Sequence, residues 1–149
     1  SEAQRETVHF YVDIGLNQDK ATLLTGGAYA EEGDLAKGWF YKPTIFVDVK
    51  PGMRIEQEEI FGPVLAIQTF RTVDEVIEKA NNTPFGLSAG VWTDKGSKIF
   101  NLTSKLRAGI VWANTYNKFD PTSPFGGYKE SGFGREGGLH GLMPYLNLK

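Results

Sequence analysis

The sequence predicts an α/β fold, a parallel sheet with helical crossovers, and three observations carry that prediction. Extended and helical stretches alternate through the middle of the chain, from Pro63 to Ala113. Thr72-Val73-Asp74-Glu75 forms a capping box, with a hydroxyl at the N-cap and a carboxylate at N3, so a helix starts there. Val73, Val76, Ile77 and Ala80 then recur at the i, i+3, i+4, i+7 spacing of one apolar stripe. Strands joined through helices pair in parallel through right-handed crossovers, because a hairpin cannot join parallel strands.

Taken in order, residues 1–14 read as a helix: Ser1 is placed to cap it, acids occupy its first turn, Val8, Tyr11 and Val12 share a face, and Gly15 follows. Leu23-Leu24-Thr25 reads as a short strand ended by Gly26-Gly27, and Glu31 to Gly38 as a polar loop. From Tyr41 to Val49 the chain reads as extended, with Ile45, Val47 and Val49 alternating against Thr44, Phe46 and Asp48 until Pro51-Gly52 breaks it. Pro63 to Phe70 is the next strand, and the capped helix after it ends at Asn81-Asn82-Thr83-Pro84. Ser88 to Thr93 is a strand, Asp94 is expected to cap a helix with Ile99, Leu102, Thr103 and Leu106 on one face, and Gly109 introduces the strand Ile110–Ala113. In such sheets ligands sit beyond the carboxyl ends of strands, which directs attention to the residues after Thr93 and Ala113. Residues 114–138, with six Gly, read as a long loop, followed by a helical turn near Gly138 to Met143 and an extended end at Tyr145–Leu148.

Composition narrows the function. The 149 residues carry 16 Lys+Arg against 18 Asp+Glu, a formal charge of −2, which argues against a nucleic-acid surface. With no Cys there is no disulfide, no Cys zinc site and no thiol nucleophile on this chain. The start is polar and no run approaches the roughly 18 apolar residues of a membrane span, so a soluble, cytoplasmic protein is expected. His9 and His140 have no acids at metal-ligand spacing, and no metal is expected. Gly132-Phe133-Gly134-Arg135-Glu136-Gly137 spells the dinucleotide fingerprint but follows a Gly-rich loop rather than a strand, and Lys129 is followed by Glu130 rather than the Ser/Thr of a phosphate loop. Glu56, Glu58 and Glu59 run into Ile60-Phe61-Gly62-Pro63. That run reads either as a solvated acidic loop or as a carboxylate beside an aromatic face, suited to a hydroxyl-rich, flat ligand. Asn114, just past its strand, is a site candidate or, more simply, a structural hydrogen-bonding residue.

Gln57-Glu58-Glu59-Ile60-Phe61-Gly62-Pro63-Val64 resembles the EEIFGPV motif of the NAD(P)-dependent aldehyde dehydrogenases. Gly26-Gly27, Pro43-Thr44-Ile45-Phe46, Ala80 to Leu87 and Pro124 to Glu136 resemble further motifs of that family in the same order, so the resemblance covers nearly the whole chain. It implies the C-terminal third of such an enzyme: residues 1–137 as part of the catalytic domain, and 138–149 as a C-terminal helix with the start of an oligomerisation strand. In that family a Cys attacks the aldehyde, a thiohemiacetal passes hydride to NAD or NADP, and a Glu-activated water releases the acid. The nucleophile and base are implied to lie upstream, leaving this chain inactive alone.

By the same resemblance, Glu59 would accept hydrogen bonds from the nicotinamide-ribose hydroxyls and Phe61 would pack near the nicotinamide ring. Phe119 and Phe125 would line the substrate tunnel. Arg135 is similar to an interface Arg whose usual Glu partner, two residues after a tyrosine, is replaced here by Asn147 after Tyr145. Homo-dimers or tetramers, the remaining polypeptide and an aldehyde substrate are the implied partners. Trp112-Ala113-Asn114-Thr115-Tyr116-Asn117 is faintly similar to the betaine-aldehyde and aminoaldehyde branch. The alternative reading is a non-catalytic oligomerisation or structural fragment.

Overall fold

A computed structural model describes residues 1–147, which form two compact units, Ser1–Arg71 and a second beginning at Thr72. In the first unit, helix α1 (Glu2–Asn17) starts where Ser1 Oγ accepts from the Gln4 amide at 3.3 Å. It runs through Gly15 rather than ending there. Gly15 is a spacing residue, since a Cβ on it would stand 2.9 Å from Phe46 Cζ. Three strands follow: β1 (Thr22–Thr25), β2 (Thr44–Val47) and, after the short helix α2 (Arg54–Gln57), β3 (Val64–Ala66). Their order is β1-β2-β3, with β1 antiparallel and β3 parallel to β2. Gly26 ends β1 at φ +78°, and any side chain there would collide with the Pro43 carbonyl, its Cβ 2.2 Å from the oxygen.

The extended segment around Pro43 alternates as expected, but the face is inverted. Thr44 and Phe46 are the buried residues of β2, while Ile45 and Val47 are only half-buried. Thr44 tolerates burial because its hydroxyl accepts from the Gly27 amide at 2.9 Å and donates to the Lys42 carbonyl at 2.8 Å. Phe46 joins Val8, Val12, Ile14, Ala21, Val49, Ile55 and Ile60 in the core. The polar loop before β2 contains a 3₁₀ turn at Gly33–Lys37, closed by a Lys37–Asp34 ion pair at 2.6 Å. The strand expected over Pro63–Phe70 shrinks to three residues because β2 offers few partners. Its last bond runs from the Ile67 amide to the Phe46 carbonyl at 2.9 Å.

In the second unit, Thr72 caps helix α3 (Val73–Asn81) through its Oγ1, which accepts from the Glu75 amide at 3.1 Å. There follow β4 (Phe85–Gly86), β5 (Ser88–Val91), helix α4 (Gly96–Lys105), β6 (Ile110–Ala113), β7 (Tyr128–Lys129) and helix α5 (Gly138–Leu142). Strands β5 and β6 are parallel and joined through α4, the expected crossover. The three central strands do not form one sheet, however: β3 pairs with β2, whereas β5 and β6 make a two-stranded sheet of their own. Asp94 does not cap α4. Thr93 Oγ1 takes the Lys95 amide at 3.2 Å and Lys95 occupies the N-cap. The apolar stripes of α3 and α4 are present, yet no residue of either helix is fully buried.

The glycine-rich loop is also more ordered in pattern than expected. Tyr128–Lys129 pairs antiparallel with Phe85–Gly86, and Phe125 and Glu136 exchange amide-to-carbonyl bonds of 2.7 Å. The extended end expected at Tyr145–Leu148 begins instead as a 3₁₀ turn at Met143–Tyr145, where the Pro144 ring presets φ. Leu148 and Lys149 lie outside the described residues. Phe46, fully buried and touched from α1 and α2, is the side chain on which the first unit most depends. Phe46→Ala is expected to cost about 3–5 kcal/mol of stability in denaturant unfolding.

Candidate functional site

The acidic run is built from helix α2 outward. Asp19, just past α1, accepts from the Arg54 and Ile55 amides at 3.1 and 3.0 Å and so caps α2, while buried Ile55 ties the helix to the core. Arg54 then reaches one turn ahead to Glu58, donating from Nε to Oε1 at 2.7 Å and from Nη2 to Oε2 at 2.9 Å. Tyr11 of α1 donates its hydroxyl to the same Oε2 at 2.9 Å. These bonds, Arg54 first and Tyr11 second, hold the Glu58 carboxyl down at about 2. The Tyr11 hydroxyl is pushed up in turn, chiefly by its bond to Glu58.

With half-exposed Glu58 tied to Arg54 and Tyr11 on extended backbone (φ −103°, ψ 146°) and Ile60 buried, Glu59 between them turns out to solvent. Gly62 is pressed against Val8, where a Cβ would come within 2.3 Å of Cγ2. Gln4 Nε2 donates to the Ile60 and Phe61 carbonyls at 3.2 and 3.1 Å. Phe61, fixed on both sides, sits at φ +53° and is 76% exposed. A bulky residue in the left-handed region is costly and persists only where its surroundings impose it. Glu59 has no hydrogen-bond or ion-pair partner among the described residues. One turn therefore presents two unshared carboxylate oxygens and an open aromatic face, the expected candidates Glu59 and Phe61.

Phe61 also borders an open cleft of about 260 Å³ with Gln4, Arg5, Trp39, Tyr41 and Pro63. The Arg5 guanidinium lies 4.2 Å from the Tyr29 ring centre and 4.8 Å from that of Trp39, and its Nε is buried without a hydrogen-bond partner. His9 lies in the same aromatic group. Its Nδ1 is 3.0 Å from the Tyr41 hydroxyl and its ring 4.7 Å from that of Tyr29. Burial, then Tyr29 and Glu6, pushes the Tyr41 hydroxyl up to about 12. Among the described residues no cluster of three or more His, Cys, Asp or Glu could hold a metal.

In the second unit, Phe119 and Phe125 meet edge to face at 4.9 Å, and Phe119 meets Trp112 at 5.7 Å. The row continues from Trp112 to Tyr116 at 4.8 Å and from Tyr116 to Trp92 at 6.3 Å. Trp112 is held by its indole N–H, which donates to the Lys118 carbonyl at 3.2 Å. Arg135 Nη1 donates to the Gly127, Phe133 and Gly134 carbonyls at 2.8, 3.2 and 2.9 Å, and its guanidinium lies 5.5 Å from the Tyr128 ring centre. In this chain it clamps the glycine-rich loop. Asn114, at φ +53°, accepts from the Thr93 amide at 2.9 Å and donates to the Thr93 carbonyl at 3.0 Å, so its side chain extends the β5–β6 ladder. That is the structural role. Sequence reasoning missed Asp19, Arg54, Tyr11 and Gln4. Only the i, i+4 spacing of Arg54 and Glu58 offered a signal.

A turn that offers paired acceptor oxygens beside a flat apolar face suits a ligand that is both hydroxylated and planar. The chain belongs to the aldehyde dehydrogenase family, whose sequence model matches residues 1–149. It is 46% identical over 149 residues to the betaine aldehyde dehydrogenase of Bacillus subtilis (strain 168), matching 100% of this chain and 30% of that protein. It is 46% identical over 148 residues to the mitochondrial aldehyde dehydrogenase of Homo sapiens, matching 99% of this chain and 28% of that one. The NAD+ complex of an aldehyde dehydrogenase from Bacillus cereus superposes with a TM-score of 0.93 at 46% identity, over 100% of this chain and 29% of that one. Betaine aldehyde dehydrogenase from Staphylococcus aureus, in complex with NAD+, gives 0.95 at 37% identity over 99% and 29%. The chain thus spans less than a third of the length of these relatives. No helix among the described residues is long and apolar enough to cross a membrane.

Because the Glu58 carboxyl titrates at about 2 in the folded chain against its ordinary 4.5, the stability it contributes is complete above pH 4.5 and is lost as pH falls from 4.5 to 2. Arg54→Met is expected to move the Glu58 titration, followed by carboxyl NMR, back toward the ordinary value.

Proposed function

We propose that this chain is the C-terminal portion of an NAD(P)-dependent aldehyde dehydrogenase, oxidising an aldehyde to a carboxylic acid with a nucleophilic Cys and a general base supplied by other segments. The order of the motifs from Gly26-Gly27 to Pro124–Glu136 supports the C-terminal placement, and the absence of Cys requires the nucleophile to come from elsewhere. On this reading residues 1–137 belong to the catalytic domain, and 138–149 form the C-terminal helix and the start of the oligomerisation strand. Homo-dimers or tetramers and a cytoplasmic location belong to the same proposal, with Arg135 near the subunit interface.

The single observation that carries the cofactor role is the free carboxylate of Glu59, turned outward by its neighbours and sharing neither oxygen among the described residues. Two acceptor oxygens match the vicinal hydroxyls of a ribose. Phe61 offers an exposed ring on a backbone held at φ +53°. NAD or NADP, when bound, supplies the hydride acceptor. Glu59 would hold the ribose and Phe61 would limit how the attached ring can turn; in the second unit, Phe119 and Phe125 are assigned to the substrate tunnel as apolar lining.

In the polypeptide carrying the nucleophilic Cys, Glu59→Gln replaces one charged acceptor by a donor. A loss of about 10- to 100-fold is expected in NAD affinity, read by fluorescence titration, and in the single-turnover hydride-transfer rate. Wild-type values of both would remove Glu59 from the cofactor site.

A further inference from the structure

We propose that Arg54 and Tyr11 are positioning residues for Glu59, acting through Glu58. The inference rests on the cofactor role proposed for Glu59 and adds a specific mechanical origin for its direction. Glu58 is the immediate neighbour of Glu59, and both of its oxygens are engaged by three bonds of 2.7–2.9 Å from two different helices. Arg54 contributes the bidentate pair, whose planar fork fixes the plane of the carboxylate as well as its place. Tyr11 locks that carboxylate to α1, the element that also packs Val8 on Gly62 and bonds the Ile60 and Phe61 carbonyls through Gln4.

The helix that carries Arg54 is itself fixed, by the Asp19 cap and by Ile55 in the core. With residue 58 held toward Arg54 and Tyr11 on extended backbone, residue 59 projects to the other side. Without the clamp, Glu58 is released, and the backbone at residues 58 and 59 is free to turn. Every such turn takes the Glu59 carboxylate away from the ligand.

The experiment uses the complete, nucleophile-bearing enzyme, with NAD as the probe and thermal melting recorded for each variant. Arg54→Met and Tyr11→Phe are each expected to raise the NAD dissociation constant about three- to tenfold with no change in the KM for aldehyde. Arg54→Lys, which keeps the charge but loses the fork, should fall between Arg54→Met and wild type. The deciding measurement is the double-mutant cycle. If the two residues act through Glu59, Arg54→Met or Tyr11→Phe added to Glu59→Gln weakens NAD binding no further. An effect of undiminished size in the Glu59→Gln background, or an unchanged dissociation constant in both single variants, overturns the proposal. Should Arg54→Met fail to fold, Tyr11→Phe, which removes only a hydroxyl, carries the test alone. A Glu59→Gln enzyme that binds NAD normally is a different failure: it removes the role of Glu59 itself, and the positioning role with it.

Discussion

The Glu58 carboxylate, gripped by Arg54 from one side and Tyr11 from another, sets the direction of everything between α2 and β3. A surface ion pair alone is worth little, because water competes for both partners. The value here lies in geometry. Three bonds to one carboxylate fix a backbone position, and the buried Ile60 fixes another two residues on, so the side chain between them is turned outward with no hydrogen bond or ion pair among the described residues. Phe61 is handled in the same way from the opposite side, by Gln4 on its backbone and Val8 against Gly62.

The two units are held by different means. In the first, α1 and β2 enclose an apolar core around Phe46, and the exposed turn is mounted directly on it through Ile55 and Ile60. In the second, buried apolar residues are few among those described, Val91 and Trp112 being the main ones. Side chains bonded to backbone take over much of the work. Asn81 donates to the Lys105 carbonyl and accepts from the Arg107 amide, and Lys129 donates to the Asn81 and Thr83 carbonyls. Arg135 bonds three carbonyls of the glycine-rich loop. Such bonds specify loop geometry well but remove little apolar surface from water, which is why the stripes of α3 and α4 stay half-exposed.

What the sequence made legible was local. The Ser1 and Thr72 caps are read from one hydroxyl and its neighbours, and the β5–α4–β6 crossover from apolar period and length. Long-range choices were not available to such reasoning. The buried face of β2 depends on the Gly27 amide finding the Thr44 hydroxyl, seventeen positions away in the chain, and the partner of β3 depends on where β2 lies. The candidate site was half legible. Glu59 and Phe61 stood out as an acid run meeting an aromatic, but their supports are distant in the chain: Tyr11 lies 47 positions from the Glu58 it holds, Asp19 35 from Arg54, and Gln4 57 from Phe61. The sequence distance hid what supports these two residues.

The left-handed backbone at Phe61 has a consequence for how the chain would drift under selection. Glycine, asparagine or aspartate would occupy that conformation at lower cost, so pressure for stability alone pushes the position away from a large ring. An aromatic there is a standing expense in folding free energy, and on the cofactor role proposed for Phe61 it is offset by a backbone already set in place before a ligand arrives.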